Sequence, residues 1–152
     1  VAGRVPVHGA GPYKLPHVRN RARAILTNET PSGAFRGFGI PQAAIAHETL
    51  YDDLAEKAGI DRLEFRHINA LRAGDTTYSG QRLDASAGLA QCLDALRPRW
   101  AELTADSATF NAQGTRVRRG VGIGCMWYGI GNTGMSNPST LRITLSRDGK
   151  LV

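Results

Sequence analysis

Hydrophobic residues recur at steps of three and four through the middle of the chain, a period that predicts helices. The first predicted helix runs from Pro41 to Ala58, because Pro41 suits a first helical turn and Gly59 suits a helix end. Its apolar stripe consists of Ala44, Ile45, Leu50, Leu54 and Ala58. The acidic residues outside this stripe are interpreted as a solvated helix face; they are Asp52, Asp53 and Glu56.

Two further helices are predicted after Gly59. The second covers residues 62–72, because Asp61 and Glu64 have the spacing of a capping box. The apolar positions of this helix that are predicted to face the core are Leu63, Ile68 and Leu71. The third covers residues 87–103, with apolar residues at Leu89, Leu93, Leu96, Trp100 and Leu103. Pro98 has no amide hydrogen and is predicted to bend or interrupt this helix.

Outside the helical middle, the hydrophobic period changes to two, which is typical of strands. A short strand is predicted near residues 18–27, within an otherwise extended N-terminal part. Two later segments alternate, around Val121–Trp127 and around Leu141–Leu145. The predicted fold class is therefore α+β, with about three helices packed on a small mixed or antiparallel sheet. Its parts are 1–40 (extended segments and a site loop), 41–105 (helical) and 106–152 (glycine-rich strands), which together form one partial domain.

Composition and charge narrow the class of protein. The 152 residues are 41% hydrophobic and 21% charged, which fits a globular domain and excludes a disordered or collagen-like chain. No apolar run approaches the roughly 18 residues of a membrane span, and no signal peptide is visible, so a cytoplasmic protein is expected. The formal net charge of +6 is concentrated at the two ends of the chain. Basic ends can meet nucleic acid, an anionic cofactor or an acidic partner, and charge alone does not choose.

The cysteines and histidines give no metal site. Cys92 and Cys125 lack Cys-x-x-Cys spacing and are interpreted as small core residues in a reducing compartment. The four histidines are scattered and are interpreted as surface or capping residues rather than ligands; they are His8, His17, His47 and His67. No metal-ligating residue is therefore predicted.

Glycines surround an arginine and two aromatic residues just before the first long predicted helix. Gly33, Gly37 and Gly39 flank the run Phe35-Arg36-Gly37-Phe38, and a glycine-rich loop can present Arg36 and an aromatic face to a ligand. The alternative is a turn whose phenylalanines anchor it in the core. The spacing matches neither a dinucleotide fingerprint nor a P-loop. A second concentration of glycines, at residues 120–134, would leave one strand face open for a helix, another sheet or a flat ligand.

Several motifs together resemble one enzyme family. These are Ala34-Phe35-Arg36-Gly37-Phe38-Gly39-Ile40-Pro41-Gln42, then Ala55-Glu56-Lys57-Ala58-Gly59-Ile60-Asp61-Arg62-Leu63-Glu64-Phe65-Arg66, and later Arg119-Gly120-Val121-Gly122-Ile123-Gly124 and Trp127-Tyr128-Gly129-Ile130-Gly131-Asn132-Thr133. In order and spacing, the whole chain resembles the molybdopterin-binding large subunit of the molybdenum hydroxylases, the xanthine dehydrogenase and aldehyde oxidoreductase family.

The resemblance implies that the chain is part of a larger molybdopterin-binding domain. The parent enzyme would be a molybdopterin-dependent hydroxylase that adds a water-derived oxygen to an aldehyde or a purine-like N-heterocycle. Electrons would leave through iron–sulfur clusters and FAD on other domains or subunits. The implied partners are the small-molecule substrate, the remaining parts of the large subunit and the iron–sulfur and flavin subunits, with neither nucleic acid nor a membrane.

The resemblance also assigns site residues. It places Arg36 beside the molybdenum centre, as the catalytic residue and as a neighbour rather than a ligand of the metal. The residues implied to bind the cofactor are Ala34, Phe35, Arg36 and Gly37. Those implied to contact substrate are Phe38, Arg4, Asn132 and Thr133. The family's catalytic glutamate, its other cofactor-holding segments and its iron–sulfur cysteines have no counterpart in this sequence, so the chain alone is predicted to be inactive.

Two alternatives belong to other functional classes. One is a non-catalytic assembly fragment whose strand edge at residues 141–152 pairs with another chain. The other is a basic nucleic-acid-binding module, which only the charge favours. Its phosphate contacts would be Arg19, Arg21, Arg23, Arg116, Arg118 and Arg119.

Overall fold

Four helices form the framework of the part of the chain that the structure describes. The computed structural model describes residues 3–30, 33–129 and 138–151. The helices are α1 (Arg4–His8), α2 (Ile40–Ala58), α3 (Arg62–Asn69) and α4 (Leu89–Ala112). They pack in chain order, α1 on α2, α2 on α3 and α3 on α4. None of these four helices is long and apolar enough to cross a bilayer.

The predicted helices exist, but their ends differ from the prediction. α3 stops three residues early because Ala70 is extended and pairs with Tyr13 in an antiparallel bridge. α4 continues through Pro98 and reaches Ala112, so the predicted interruption is wrong. A proline removes one helical hydrogen bond, and the turns on either side of Pro98 remain hydrogen-bonded.

The first helix, α1, was not predicted. The prolines near the N-terminus favoured extended structure, whereas residues 4–8 form one helical turn. Pro6 lies in that turn, where its missing N–H group needs no helical partner. Its position is therefore compatible with the helix, and the extended prediction for this segment is wrong.

The buried face of α2 differs from the predicted apolar stripe. The residues that α2 buries are Ile40, Ala43, His47, Tyr51 and Ala55. Ile45 and Leu50 are 72% and 54% exposed. The ring of Tyr51 meets that of Tyr13 edge-on at 4.5 Å, and its hydroxyl donates to the carbonyl of Ala10 at 3.0 Å. The large ring of Tyr51, with its hydroxyl hydrogen-bonded, therefore occupies the core side of α2. On α3, the predicted core residue Ile68 is likewise 59% exposed.

Asp61 caps α3 and also ties it to α4. Its Oδ1 accepts hydrogen bonds from the amides of Leu63 at 2.9 Å and Glu64 at 3.0 Å. Its Oδ2 accepts one from Nε1 of Trp100 at 2.9 Å. The capping position predicted from the sequence is confirmed.

We expect Asp61→Ala to lower the free energy of unfolding by about 1–2 kcal/mol, the usual cost of losing a helix cap. Asp61→Asn should keep most of this stability, because asparagine caps nearly as well. Urea denaturation of both variants checks the expectation. Asp53→Ala is the control, because Asp53 is exposed on α2. Equal stability losses for Asp61→Ala and Asp53→Ala would contradict the capping role.

The predicted sheet is not confirmed. In the three described ranges there is no strand, only isolated bridges, one of them between Leu145 and Leu151. Leu141 and Ile143 are 83% and 61% exposed, and Leu26 in the predicted 18–27 strand is fully exposed. A strand must pair its N–H and C=O groups with a neighbour over several residues, and these segments make at most one isolated bridge within the described ranges.

The core brings the segment after α4 next to the helices. The buried cluster consists of Tyr13, Tyr51, Leu63, Leu93 and Cys125. The carbonyl of Arg119 accepts hydrogen bonds from Ser107 at 2.8 Å and Asn111 at 2.9 Å, both on α4. The buried position predicted for Cys125 is confirmed, whereas Cys92 is exposed and that prediction is wrong. This packing positions the residues that follow Cys125.

Candidate functional site

A buried ionic network joins α2 and α3. The side chain of Arg66 is fully buried, and its Nε donates to Oε2 of Glu48 at 2.7 Å. Its Nη1 lies 2.8 Å from Oδ1 of Asp52. The hydroxyl of Tyr13 donates to Oε1 of Glu48 at 2.7 Å. The interpretation of Asp52 as part of a solvated face is therefore wrong. Acidic residues four apart on α2 and arginines four apart on α3 were the sequence signal for this network.

Burial and the hydrogen bonds of the network fix the protonation states of Glu48 and Tyr13. Burial by itself raises the pKa of Glu48, but the side chains of His47, Tyr13 and Arg66 contact its carboxylate and hold the pKa below its ordinary value. Burial is the main reason that the pKa of Tyr13 is raised. At neutral pH, Glu48 is therefore anionic and Tyr13 is protonated. Neither group is poised to exchange a proton near pH 7.

An open cavity lies where the loop before α2 meets the segment after Cys125. Its volume is about 1140 Å³. Ala34, Arg36 and Phe38 are among the predicted site residues that line it. The full lining consists of Ala34, Phe35, Arg36, Gly37, Phe38, Pro41, Met126 and Tyr128.

Two consecutive tight turns shape the loop at this cavity. The amide of Phe38 donates to the carbonyl of Phe35 at 2.8 Å, and that of Ile40 to Gly37 at 2.9 Å. Gly37, Phe38 and Gly39 have φ angles of +88°, +47° and +94°. Phe38 is the one non-glycine residue with positive φ in the described ranges, and such strain often marks a functional loop. A Cβ on Gly37 would lie 2.7 Å from the ring of Pro41, so this glycine is required.

The loop presents Arg36 outward. Phe35 is 85% exposed, so it does not anchor the turn in the core, which was the alternative interpretation. Arg36 is also exposed, and its guanidinium has no hydrogen bond or ion pair with any residue that the structure describes. Its fixed fork of N–H donors is therefore available to an anionic or carbonyl group in the cavity.

Arg4 lies close to the same loop. Its guanidinium carbon is 5.8 Å from the centre of the Phe38 ring, within the range of a cation–π contact. The structure thus brings two predicted substrate residues together, although they are far apart in sequence. The other two, Asn132 and Thr133, lie outside the described residues.

Met126 and Tyr128 complete the cavity, and sequence reasoning missed both. They alternate with Cys125 and Trp127, and this alternation was the available signal. Adding a Cβ at Gly120, Gly122 or Gly124 would meet nothing within 4 Å, so space is open beside the same segment. No group of three His, Cys, Asp or Glu residues in the described ranges could hold a metal ion. At the cavity, Arg36 supplies hydrogen-bond donors and Phe35, Phe38 and Met126 supply apolar surface.

Comparisons with known proteins identify relatives of this chain. Residues 1–70 match the family model of the molybdopterin cofactor-binding domain. The chain is 42% identical over 103 residues to the nicotinate dehydrogenase large molybdopterin subunit of Eubacterium barkeri, covering 68% of this chain and 24% of that protein. It is 41% identical to the aldehyde oxidoreductase of Megalodesulfovibrio gigas, covering 83% of this chain and 14% of that protein.

A solved structure agrees with the sequence relatives. Aldehyde oxidoreductase from Desulfovibrio gigas matches with a TM-score of 0.63 and 37% identity, over 71% of this chain and 12% of that one. The chain therefore spans about a quarter or less of the length of the curated relatives named above. The residues matched by the family model, 1–70, include the cavity loop at residues 34–38.

Proposed function

Since the chain belongs to the xanthine dehydrogenase and aldehyde oxidoreductase family, in which it corresponds to part of the molybdopterin-binding subunit, we propose that it serves an oxidoreductase that hydroxylates aldehydes or N-heterocycles with oxygen derived from water. The observation that carries the proposal is that the matched residues 1–70 contain the strained loop that lines the cavity. When bound, molybdopterin would supply the redox chemistry at its molybdenum. The described chain would supply binding, orientation and charge.

The residues at the cavity fit such a cofactor. Molybdopterin is anionic, and the exposed guanidinium of Arg36 offers a positive charge and several hydrogen-bond donors in the lining of the cavity. We assign cofactor binding to Ala34, Phe35, Arg36 and Gly37. Gly37 has no room for a side chain beside Pro41, which favours a loop kept in one conformation.

Phe38, Arg4, Asn132 and Thr133 are proposed to contact the substrate. The contact between Arg4 and the Phe38 ring supports placing these two residues in one substrate-binding surface. Phe38 offers a ring on which a planar substrate can stack. The names of the relatives include nicotinate dehydrogenase and xanthine dehydrogenase beside aldehyde oxidoreductase. A planar heterocycle or an aldehyde is therefore the proposed substrate class.

The rest of the enzyme is proposed to cover the exposed apolar surface of this chain. Ile45, Leu141 and Ile143 are more than half exposed and offer apolar surface that other parts of the subunit can cover. We propose that the alternating segments at 120–127 and 141–146 become strands when other parts of the subunit pair with them. The three parts 1–40, 41–105 and 106–152 would then belong to one larger domain. Iron–sulfur clusters and FAD would lie on other domains or subunits.

Molybdenum content tests the proposal. We expect this chain, purified from a host that makes the cofactor, to hold little molybdenum or pterin, because an open cavity contacts a ligand on one side only. A polypeptide extended at both ends to the length of its relatives should hold molybdenum in stoichiometric amount. The same two polypeptides from a host unable to make the cofactor are the control.

Each result has a clear meaning. If the extended polypeptide purified without molybdenum or pterin, the proposed function would be wrong. If the 152-residue chain alone retained the cofactor, the predicted need for the remaining parts of the subunit would be wrong.

A further inference from the structure

Two residues of α1 contact two aromatic rings that line the cavity. Arg4 and His8 are four residues apart and therefore on one face of the helix. Arg4 contacts Phe38 at 5.8 Å, and the ring of His8 stacks on that of Tyr128 with centres 6.1 Å apart and planes 20° apart. Phe38 and Tyr128 both line the cavity, and we call these two rings the aromatic wall. One short helix thus contacts both rings of the aromatic wall.

His8 is held in a single orientation. It is fully buried, and its Nδ1 lies 3.0 Å from the carbonyl of Arg4. A carbonyl can only accept, so Nδ1 carries the proton in this hydrogen bond. The Trp127 ring contacts the His8 ring at 5.0 Å with an interplanar angle of 49°. Burial, more than any other cause, lowers the pKa of His8, so the ring at pH 7 is a neutral aromatic surface.

Residues distant in sequence hold α1 itself. The amide of Gly9 donates to the hydroxyl of Tyr78 at 3.1 Å, and this hydroxyl donates to the carbonyl of Pro6. The side chain of Asn20 donates to the same carbonyl at 3.2 Å. These contacts fix the backbone on both sides of His8. The Tyr128 ring, by contrast, is 49% exposed and has a free side toward the cavity.

We propose that His8 is a positioning residue for substrate, which acts through Tyr128. Its buried ring sets the place and tilt of the Tyr128 ring in the aromatic wall, and so sets the affinity for a planar substrate. The proposal rests on the proposed function, since the cavity must be the place where the substrate binds. A purely structural role would instead lower the amount of folded, cofactor-loaded enzyme and leave KM unchanged.

The kinetic test uses the complete, cofactor-loaded enzyme with benzaldehyde, nicotinate and xanthine as planar probes. With the probe that the wild type oxidises best, His8→Leu should raise KM about three- to tenfold and leave kcat within about twofold, because an offset ring contact of ordinary strength is lost. His8→Phe keeps a flat ring and should restore KM. His17→Leu is the matched control, since His17 is exposed. An unchanged KM in His8→Leu would overturn the proposal.

A second variant covers the case in which His8→Leu does not fold. Tyr128→Leu alters a half-exposed side chain and should raise KM by a similar factor. If KM for the planar probe stayed at the wild-type value in Tyr128→Leu, Tyr128 would not contact the substrate and the proposal would be wrong.

A spectroscopic measurement separates this proposal from the proposed function. The 152-residue chain has two tryptophans, so Trp100→Phe leaves Trp127 alone. In that background, the near-UV circular dichroism of Trp127 should weaken in His8→Leu and persist in His8→Phe and His17→Leu, with unchanged far-UV spectra. An unchanged near-UV spectrum in His8→Leu would overturn the positioning role. A wild-type enzyme that oxidises none of the probes would instead count against the proposed function.

Discussion

Replacing Arg66 by methionine is expected to lower the free energy of unfolding by about 3–5 kcal/mol, because it leaves a buried carboxylate without its main partner. Arg66 is fully buried and Glu48 is 11% exposed. The arginine also donates to the backbone carbonyls of Arg62 and Glu48, both at 3.1 Å. Methionine fills a similar volume but satisfies none of these acceptors.

A double variant separates the ion pair from simple packing. Glu48→Leu combined with Arg66→Met removes both charges, so it should lose less stability than the two single variants together. Arg99→Met is the exposed control, because its pair with Glu102 is 60% and 65% exposed and should contribute at most about 1 kcal/mol. Urea denaturation measures the free energy of unfolding of the two single variants, the double variant and Arg99→Met. Additive losses in the double variant would show that the pair is not a coupled unit.

The same pair predicts the direction of the acid dependence. The pKa of Glu48 is lowered in the folded protein, so the unfolded chain binds its proton at a higher pH. Its stabilising contribution is therefore full above its ordinary pKa of 4.5 and is lost as pH falls through the folded value. Arg66→Met should flatten this part of the stability profile, which denaturation at several pH values between 3 and 6 would measure.

Local signals in the sequence predicted the helices well. Pro41 and Gly59 bound α2, and Asp61 caps α3, because these residues act through contacts within a few positions. The buried face of α2 was not predictable in the same way. His47 and Tyr51 are buried, whereas Ile45 and Leu50 of the predicted stripe are exposed. Their partners, Tyr13 and Ala10, lie more than thirty residues away in sequence, so no local pattern indicates these contacts.

The candidate site was predictable only in part. The glycines around Arg36, with the family resemblance, pointed to residues 34–38, and the structure brings them to one cavity. Tyr128 and the helix α1 behind it were missed, because a stack between residues 8 and 128 leaves no local pattern. The alternating segment around Ile143 predicted a strand that no described neighbour completes. Alternating hydrophobic residues indicate that a segment favours a strand, but the strand forms only where a neighbouring strand can pair with it.

Arg36→Met in the complete, cofactor-loaded enzyme is expected to lower kcat/KM about 100- to 1000-fold, the usual cost of losing a hydrogen-bond donor at a site of developing charge. The side chain lines the cavity and makes no hydrogen bond or ion pair within the described ranges, so its donors are available for this role. Methionine keeps much of the length and removes the charge. Steady-state kinetics and molybdenum content, measured on the same preparations, check the expectation.

Arg36→Lys distinguishes charge from geometry. Lysine keeps the positive charge but lacks the planar fork, so we expect it to recover only a small part of the lost rate. Arg99→Met serves again as the control, because Arg99 is exposed on α4 and pairs only with Glu102 in the described structure. If Arg36→Met lost molybdenum together with activity, the loss of activity would follow from the proposed cofactor-binding role of Arg36 alone. If it kept both the metal and the wild-type rate, the catalytic role proposed for Arg36 would be wrong.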